Sequence, residues 1–391
     1  VQRSEFVVVG AGIVGLATAY ALLKQGCRNV TVLERATVDH QHSPSHGLSR
    51  LLRFEYGPHL HYSRMVQLSL QRWQQLAQYS PRPLYTPTAL LTLGHESDGF
   101  TQASYHLLHD LALPIHNITR NTCKRLFPQF HLHNYDLFLY NRQAAILFAS
   151  HCLQTLRELI LAMHGNILET TTVTALSHDN RQKPIRVHCS NGHEIMADRV
   201  ALAPGAWIHN LLGELHLPVR ITRQYLLYFA DLPEQHFGMP AFPAFMAGDL
   251  YGFPLHHTCA GWGPRWLKVA SHHFGALISP DAEPEIDKRA IAYMLAQVRQ
   301  LLPALTTARL AHIDACMYDV SQDEDFIIDY LPGDSRITFA AGLSGHGFKF
   351  GPLLGEMICS LLCETRPPVT MERFQLGRFA RQPQKQPVSV A

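Results

Sequence analysis

The apolar pattern is clearest at the start of the chain. Glu5 to Val9 is a short valine-rich run, the signature of a strand buried on both faces. Gly10, Gly12 and Gly15 follow, and a helical run from Leu16 to Gln25 stops at Gly26. Val30 to Leu33 is a second buried strand, ended by Glu34. Strand, glycine turn, helix and strand make a dinucleotide-binding βαβ unit. The first glycine permits the tight turn, the second admits a pyrophosphate, and the third lets helix and strand approach closely. The helix N-terminus then offers free N–H groups to the phosphates, and Glu34 is spaced to accept hydrogen bonds from a ribose.

Further along, Tyr62 to Ala77 reads as an amphipathic helix and Ala89 to Leu93 as a weakly alternating strand ending at Gly94. Ser150 is placed to cap a helix with Leu153, Leu156, Ile160 and Met163 on one face. Ile185, Val187 and Cys189 alternate up to an Asn191-Gly192 turn, a hairpin signal. Val200 to Ala203 is a buried strand running into Gly205 and Trp207. Ile221 to Ala230 and Leu250 to Phe253 read as strands of a second sheet, interrupted by Pro240, Pro243 and Pro254. On a strand from Leu267 to His272, Lys268, Ala270 and His272 face one way. Pro284 to Leu302 reads as a helix with Pro284 in its first turn, and a last helix runs from Leu353 to Cys363.

Composition narrows the class. The 391 residues suffice for two domains with a buried core; 47% are hydrophobic and 16% charged, which excludes a disordered chain or a coiled coil. A net charge of +2 gives no nucleic-acid footprint. The 25 histidines are scattered, with no pair at metal-ligand spacing on a convincing helix, so no metal is expected. Eight cysteines form no framework and no signal peptide precedes them, so reduced thiols and a cytoplasmic enzyme are expected. Phe6 to Leu23 is long enough and uncharged enough for a membrane span, but its glycine spacing and the strand after it favour the dinucleotide fold.

Candidate chemistry concentrates between Cys316 and Phe350, where a cysteine, a tyrosine, a histidine and a lysine stand among Gly342, Gly345 and Gly347. A glycine turn lets backbone N–H groups approach a ligand. Arg50 and Arg53 are three apart; if helical they share a face, and a solvated basic face is the plain alternative.

These segments resemble the flavoprotein amine oxidases of the D-amino-acid oxidase superfamily, the family of monomeric sarcosine oxidase and N-methyltryptophan oxidase. The likeness rests on Ala315-Cys316-Met317-Tyr318, Asp323 to Asp329 and Leu343 to Phe350. The N-terminal fingerprint, Arg50-x-x-Arg53-x-x-Tyr56-Gly57, Gly205-Ala-Trp207 and Tyr251-Gly-Phe-Pro254 agree with it. It implies an α/β chain with a Rossmann-type FAD-binding domain (residues 1–86, 147–218 and 319–391) and an antiparallel-sheet α+β substrate domain (87–146 and 219–318). It implies FAD, joined through a thioether to Cys316. Arg53 and Lys349 would hold the substrate carboxylate, and Tyr251, Tyr318, His272 and His346 would line the substrate and flavin faces. Lys268 would sit on the opposite flavin face and stabilise charge developing on oxygen. Cofactor contacts are implied for Gly10, Gly12, Ile13, Val14, Gly15, Glu34, Arg35, Ser45, Arg50, Leu51 and Val173. Gly205, Trp207, Cys316, Met317, Gly342, Ser344, Gly345, His346, Gly347 and Lys349 complete that set.

The expected reaction is oxidation of a secondary, N-methylated amino acid to an imine that water hydrolyses, with oxygen reduced to peroxide by a monomeric enzyme. A dehydrogenase with another acceptor, a cyclic imino acid oxidase, and a non-catalytic dinucleotide-binding module fit the same residues. Two departures from the family stand out. Glu55 replaces a small residue beside Arg53, which either weakens anion binding or favours a substrate with a second cation. The stretch from Pro254 to Lys268 is longer, holds Trp262, Pro264 and Trp266, and bears on where Lys268 sits.

Overall fold

The computed structural model describes residues 2–178, 182–259 and 262–381. Its first sheet runs in the order Val173–Ser177, Ile185–Cys189, Glu194–Leu202, Gln2–Val9, Val30–Leu33, Asn166–Leu168. Asp334–Ala341 also pairs with Glu194–Leu202, and Ile327–Leu331 lies beyond it. Gln2–Val9 is parallel to both its neighbours. Its side chains explain the unbroken apolar run: Phe6 and Val8 enter one core, Val7 and Val9 the other. A strand covered on both faces has no polar side to alternate with.

The first core is closed by the helices Ile13–Lys24, Leu60–Ala77, Ala149–Ala162 and Gly351–Leu362. The two ends of the chain meet here. A Cβ on Gly355 would stand 2.4 Å from the Ala17 backbone, and one on Gly351 would stand 2.4 Å from Ile13 Cγ1. Small residues therefore set the distance between the N-terminal helix and the helix that follows the C-terminal glycine turn.

The second sheet runs Arg309–Ser321, Val219–Ala230, Trp262–Ser271, Leu250–Cys259, Ala244–Ala247, Leu90–Gly94, Leu137–Asn141, Ile115–Asn117. It is antiparallel except where Ala244–Ala247 meets Leu90–Gly94. Leu227 and Phe229 point to a core shared with the helix Lys288–Leu301, while Leu226 and Tyr228 point the other way. A small sheet of Ser49–Leu52, Ala145–Phe148 and Tyr85–Pro87 lies between the larger two in the chain's path. Among the described residues no helix is long and apolar enough to cross a membrane.

Several local expectations change. The helix expected from Pro284 begins at Lys288, because Asp287 Oδ1 accepts from the N–H groups of Arg289 and Ala290; a side-chain cap fixes a helix start more firmly than a proline upstream. Ser150 is not a cap: the helix Ala149–Ala162 follows Phe148 and has no side-chain cap. Arg50 lies on the strand Ser49–Leu52, so the shared helical face with Arg53 does not exist. The strand that starts at Leu250 does not stop at Phe253; it runs to Cys259 through Pro254, where the ladder register shifts and the missing N–H costs nothing. The longer stretch before Lys268 thus lies within the paired strands Leu250–Cys259 and Trp262–Ser271; residues 260–261 lie outside the described residues.

Candidate active site

The first glycine turn is built for close approach. Gly10 has φ +100°, and a Cβ there would stand 2.4 Å from Ala203 O; one on Gly15 would stand 1.8 Å from Gly10 O. Gly15 therefore serves packing and lies outside the cleft wall, whereas Gly10, Gly12, Ile13 and Val14 line a cleft of about 960 Å³. A Cβ on Gly12 would press to 3.0 Å from Ser45 Oγ, which accepts from Ile13 N–H at 3.0 Å. No acidic residue occupies the first turn of that helix. Glu34 Oε2 accepts from Ala11 N–H (2.7 Å) and Oε1 from Ala36 N–H (3.0 Å), which locks the second strand's acid against the turn.

The cleft's outer wall holds Val173, Gly205, Arg35 and Trp207. The Arg35 guanidinium stacks 4.4 Å from the Trp207 ring. Asp281 accepts from Trp207 Nε1 (2.7 Å) and pairs with Arg35 (3.2 Å). Those two contacts, the indole first, hold its carboxyl below the usual range. Sequence reasoning missed Asp281, which arrives from a loop of the second sheet with no motif around it.

A second cleft of about 1000 Å³ shares Ile13, Pro44, Ser45, Asp319 and Leu343 with the first. The shared walls run the two clefts into one another, so together they form one elongated groove that begins at the glycine turn. Arg50, Leu51, Cys316 and Met317 line this end with Lys268 and Gly347. Arg50 is spent on the turn around it, donating to the carbonyls of Ser49, Pro44 and His46 at 3.0, 3.0 and 2.5 Å. Asp314, Cys316 and Tyr318 alternate along Arg309–Ser321 and all reach the cleft. Burial raises the Cys316 thiol to about 11, against the pull of Arg50 and Lys268.

Lys268 is placed by ladder register, opposite Tyr228 on one side and Phe253 on the other. Leu267 and Val269 turn to the core, so Lys268 turns to the cleft. It is 1% exposed, its Nζ donates to Ser49 O at 2.8 Å, and burial, then Arg50, lowers its pKa to about 7.

Arg53, Tyr251, Tyr318, His272, His346 and Lys349 gather at the far end. Lys349 Nζ donates to Tyr56 Oη (2.9 Å) and to His346 O (3.0 Å). His346 Nε2 faces Glu324 O at 3.2 Å and so carries the proton; Nδ1 then accepts from the Tyr56 hydroxyl at 3.3 Å. Burial, followed by the Lys349 charge, keeps His346 neutral. Burial, then Arg53, pushes Lys349 well below its ordinary value. His272 stacks on Tyr251 (4.4 Å between centroids), whose hydroxyl is 3.4 Å from that of Tyr318. Burial, then Arg53 and Lys349, lowers His272 to about 3. Among the described residues, Arg53 Nη1 and His272 Nε2 are buried without a hydrogen-bond partner.

Tyr56 stands out in the sequence only as part of a motif, yet its ring carries both cations, Arg53 at 4.7 Å and Lys349 at 5.4 Å. Ser69 and Trp73 fix Lys349 from behind, donating to its carbonyl at 2.5 and 2.8 Å. Asp319, at the junction of the clefts, accepts from Leu343 N–H at 3.2 Å, and burial raises its pKa to about 6. Gly342 and Ser344 lie away from the second cleft. Gly342 (φ +62°) packs on Ser321, and Ser344 faces a third pocket beyond Arg53.

The residues present fit FAD. An acid-free helix N-terminus and the Gly12–Ser45 gap suit a diphosphate, Glu34 with Trp207 and Arg35 flanks the nucleoside end, and the Arg53 Nη1 donor waits at the other. A dinucleotide groove that ends among buried cations suits a flavin-dependent oxidoreductase, and this chain belongs to the FAD dependent oxidoreductase family (DAO), whose model matches residues 5–361. It is 30% identical over 385 residues to the N-methyl-L-tryptophan oxidase of Yersinia pestis (strain Pestoides F), covering 96% of this chain and 99% of that one. Two solved structures share the fold. L-proline dehydrogenase from P. horikoshii has a TM-score of 0.83 at 20% identity, covering 97% of this chain and 98% of its own. NikD, an amino acid oxidase of nikkomycin biosynthesis, has 0.81 at 21%, covering 96% and 98%.

Proposed function

We propose that this protein oxidises N-methyl or closely related secondary amino acids, with oxygen as electron acceptor. The observation that carries the reading is the buried, unpartnered Arg53 Nη1 beside Lys349. Two cations held together on one tyrosine ring repel each other, and an incoming carboxylate relieves both. The N-methyl-L-tryptophan oxidase relative points to the same substrate class.

FAD, when bound, supplies the two-electron acceptor. The chain's own residues bind and orient. Arg53 and Lys349 pin the carboxylate, and Tyr251, Tyr318 and His272 wall the reacting carbon. His272 stays neutral, so its open Nε2 accepts from the substrate amine without holding it as an ammonium. An amine must be uncharged to release electrons from its neighbouring carbon, and water then hydrolyses the resulting imine. Lys268, on the Cys316 side, presents a positive charge to oxygen as it takes up electrons. In this reading Cys316 tethers the cofactor, and the two sheets divide the work. The first sheet belongs to a cofactor domain (1–86, 147–218 and 319–391 in sequence) and the second to a substrate domain (87–146 and 219–318), with Arg53 and Lys349 reaching the substrate from the cofactor side and Cys316 reaching the cofactor from the other.

Anaerobic titration of the holoprotein with N-methyl amino acids and cyclic imino acids tests the reaction: the flavin spectrum bleaches with at least one, and air restores it with stoichiometric peroxide. No bleaching with any of them removes the amine oxidase reading; bleaching that air does not reverse removes oxygen. Acid precipitation tests the tether, a yellow pellet supporting it and a colourless one refuting it, with Cys316→Ser as the colourless control.

A further inference from the structure

Beyond Arg53 the flavin-end cleft opens into a further pocket of about 1460 Å³, which Glu55 also lines. Glu55 is 3% exposed. Its oxygens accept only from neutral donors, Phe54 N–H at 3.0 Å and Asn141 Nδ2 at 2.8 Å. Among the described residues no lysine or arginine pairs with it, Arg53 included. A carboxylate has roughly four acceptor positions, so two remain. Burying a carboxylate without a counter-charge is costly. Among the described residues, the pocket wall therefore carries an arginine with an unpartnered Nη1 and a glutamate with no cation paired to it. Histidines aside, the other ionisable side chains on its wall that carry a charge at neutral pH are all acidic: Asp98, Asp249 and Glu324.

The cation that completes Glu55 is not the reacting amine. A carboxylate paired with that amine would hold it protonated and block loss of electrons from the adjacent carbon. His272, neutral and open at Nε2, already lines both the cleft and this pocket. Glu55 thus acts on a second nitrogen, further along the side chain.

Building on the carboxylate anchor at Arg53 and Lys349, we infer that Glu55 makes this enzyme selective for amino acids bearing a second, side-chain cation, of the Nα-alkyl-lysine or Nα-alkyl-ornithine class. Asn141 is a positioning residue that aims the carboxylate from the end of Leu137–Asn141.

Two probes that share a carboxylate and differ in one charge test this: hexanoate and 6-aminohexanoate, titrated into the oxidised holoprotein and read by the change in flavin absorbance. A desolvated charge pair adds on the order of tenfold or more in affinity, so 6-aminohexanoate binds at least about tenfold tighter. In Glu55→Gln the two bind alike. Equal binding of both in the native protein overturns the selectivity, and that comparison decides the matter even if the variant does not fold. Binding of neither overturns the carboxylate anchor itself, and the selectivity falls with it. Under argon, Nα-methyl-L-lysine then bleaches the flavin faster than Nα-methyl-L-norleucine, and the reverse order refutes the inference while leaving the amine oxidase reading intact.

Discussion

Lys268→Met separates what the buried lysine costs from what it does. The ammonium is 1% exposed, with one hydrogen bond, to Ser49 O. Its pKa falls from 10.5 to about 7, with burial the main cause and Arg50 second. At 1.36 kcal/mol per pKa unit, that displacement makes the charged lysine cost the fold roughly 5 kcal/mol below pH 7. The sign follows from proton counts. Between about pH 7 and 10.5 the unfolded chain holds this proton and the folded chain does not, so raising the pH relieves the penalty. Methionine has similar volume and no charge. The Met variant therefore gains more stability over the native protein at pH 6 than at pH 9, by about 3 kcal/mol. The orphaned Ser49 carbonyl costs both measurements the same ~1 kcal/mol and cancels in the comparison. Guanidinium denaturation of the two holoproteins at both pH values, followed by tryptophan fluorescence, reads the difference. Equal gains at pH 6 and 9, or a variant less stable than the native protein at pH 6, would refute a strongly desolvated lysine here.

The role proposed for Lys268 in oxygen chemistry predicts that the rate of reoxidation of the reduced holoprotein falls as pH rises through about 7, towards the level of Lys268→Met, in stopped-flow traces. A rate independent of pH between 6 and 9 contradicts that role. Arg53→Met removes charge-assisted hydrogen bonds worth about 1.5–3 kcal/mol, so carboxylate ligands bind roughly 10- to 150-fold more weakly. N-Methylamines without a carboxylate are unaffected, and an equal loss for both classes would place Arg53 outside the anion site. Gly15→Ala drives a Cβ to 1.8 Å from Gly10 O, a backbone atom that cannot swing aside. That protein is expected to emerge without bound flavin, and a fully loaded Gly15→Ala variant would show that the turn tolerates the side chain.

How much was readable without coordinates depends on how local each determinant is. The βαβ unit was legible because its cause sits within a few residues: Gly10 needs φ +100°, and Phe6 to Val9 alternate into two cores. Cys316, Tyr318 and Lys349 were legible because they stand in a short, specific string that resembles a family. The helix start at Lys288 was misjudged at the same local scale, since the Asp287 cap outweighs the proline before it.

Other features had no local cause. Trp73 and Ser69 look like the buried face of a helix, and only folding brings them against the carbonyl of Lys349, 276 and 280 residues away. Glu55 reads as an odd neighbour of Arg53 until Asn141, 86 residues on, fixes its buried carboxyl group against the pocket wall. Lys268 could equally have been a solvated strand lysine; the register with Tyr228 and Phe253 buried it and set its protonation. The chain alone determined which dinucleotide unit and which reactive groups are present, because backbone conformation and side-chain identity are properties of short segments. Folding alone decided which charges lose water and which stay without partners, because desolvation depends on everything packed around a group, and nearly all of that comes from elsewhere in the sequence.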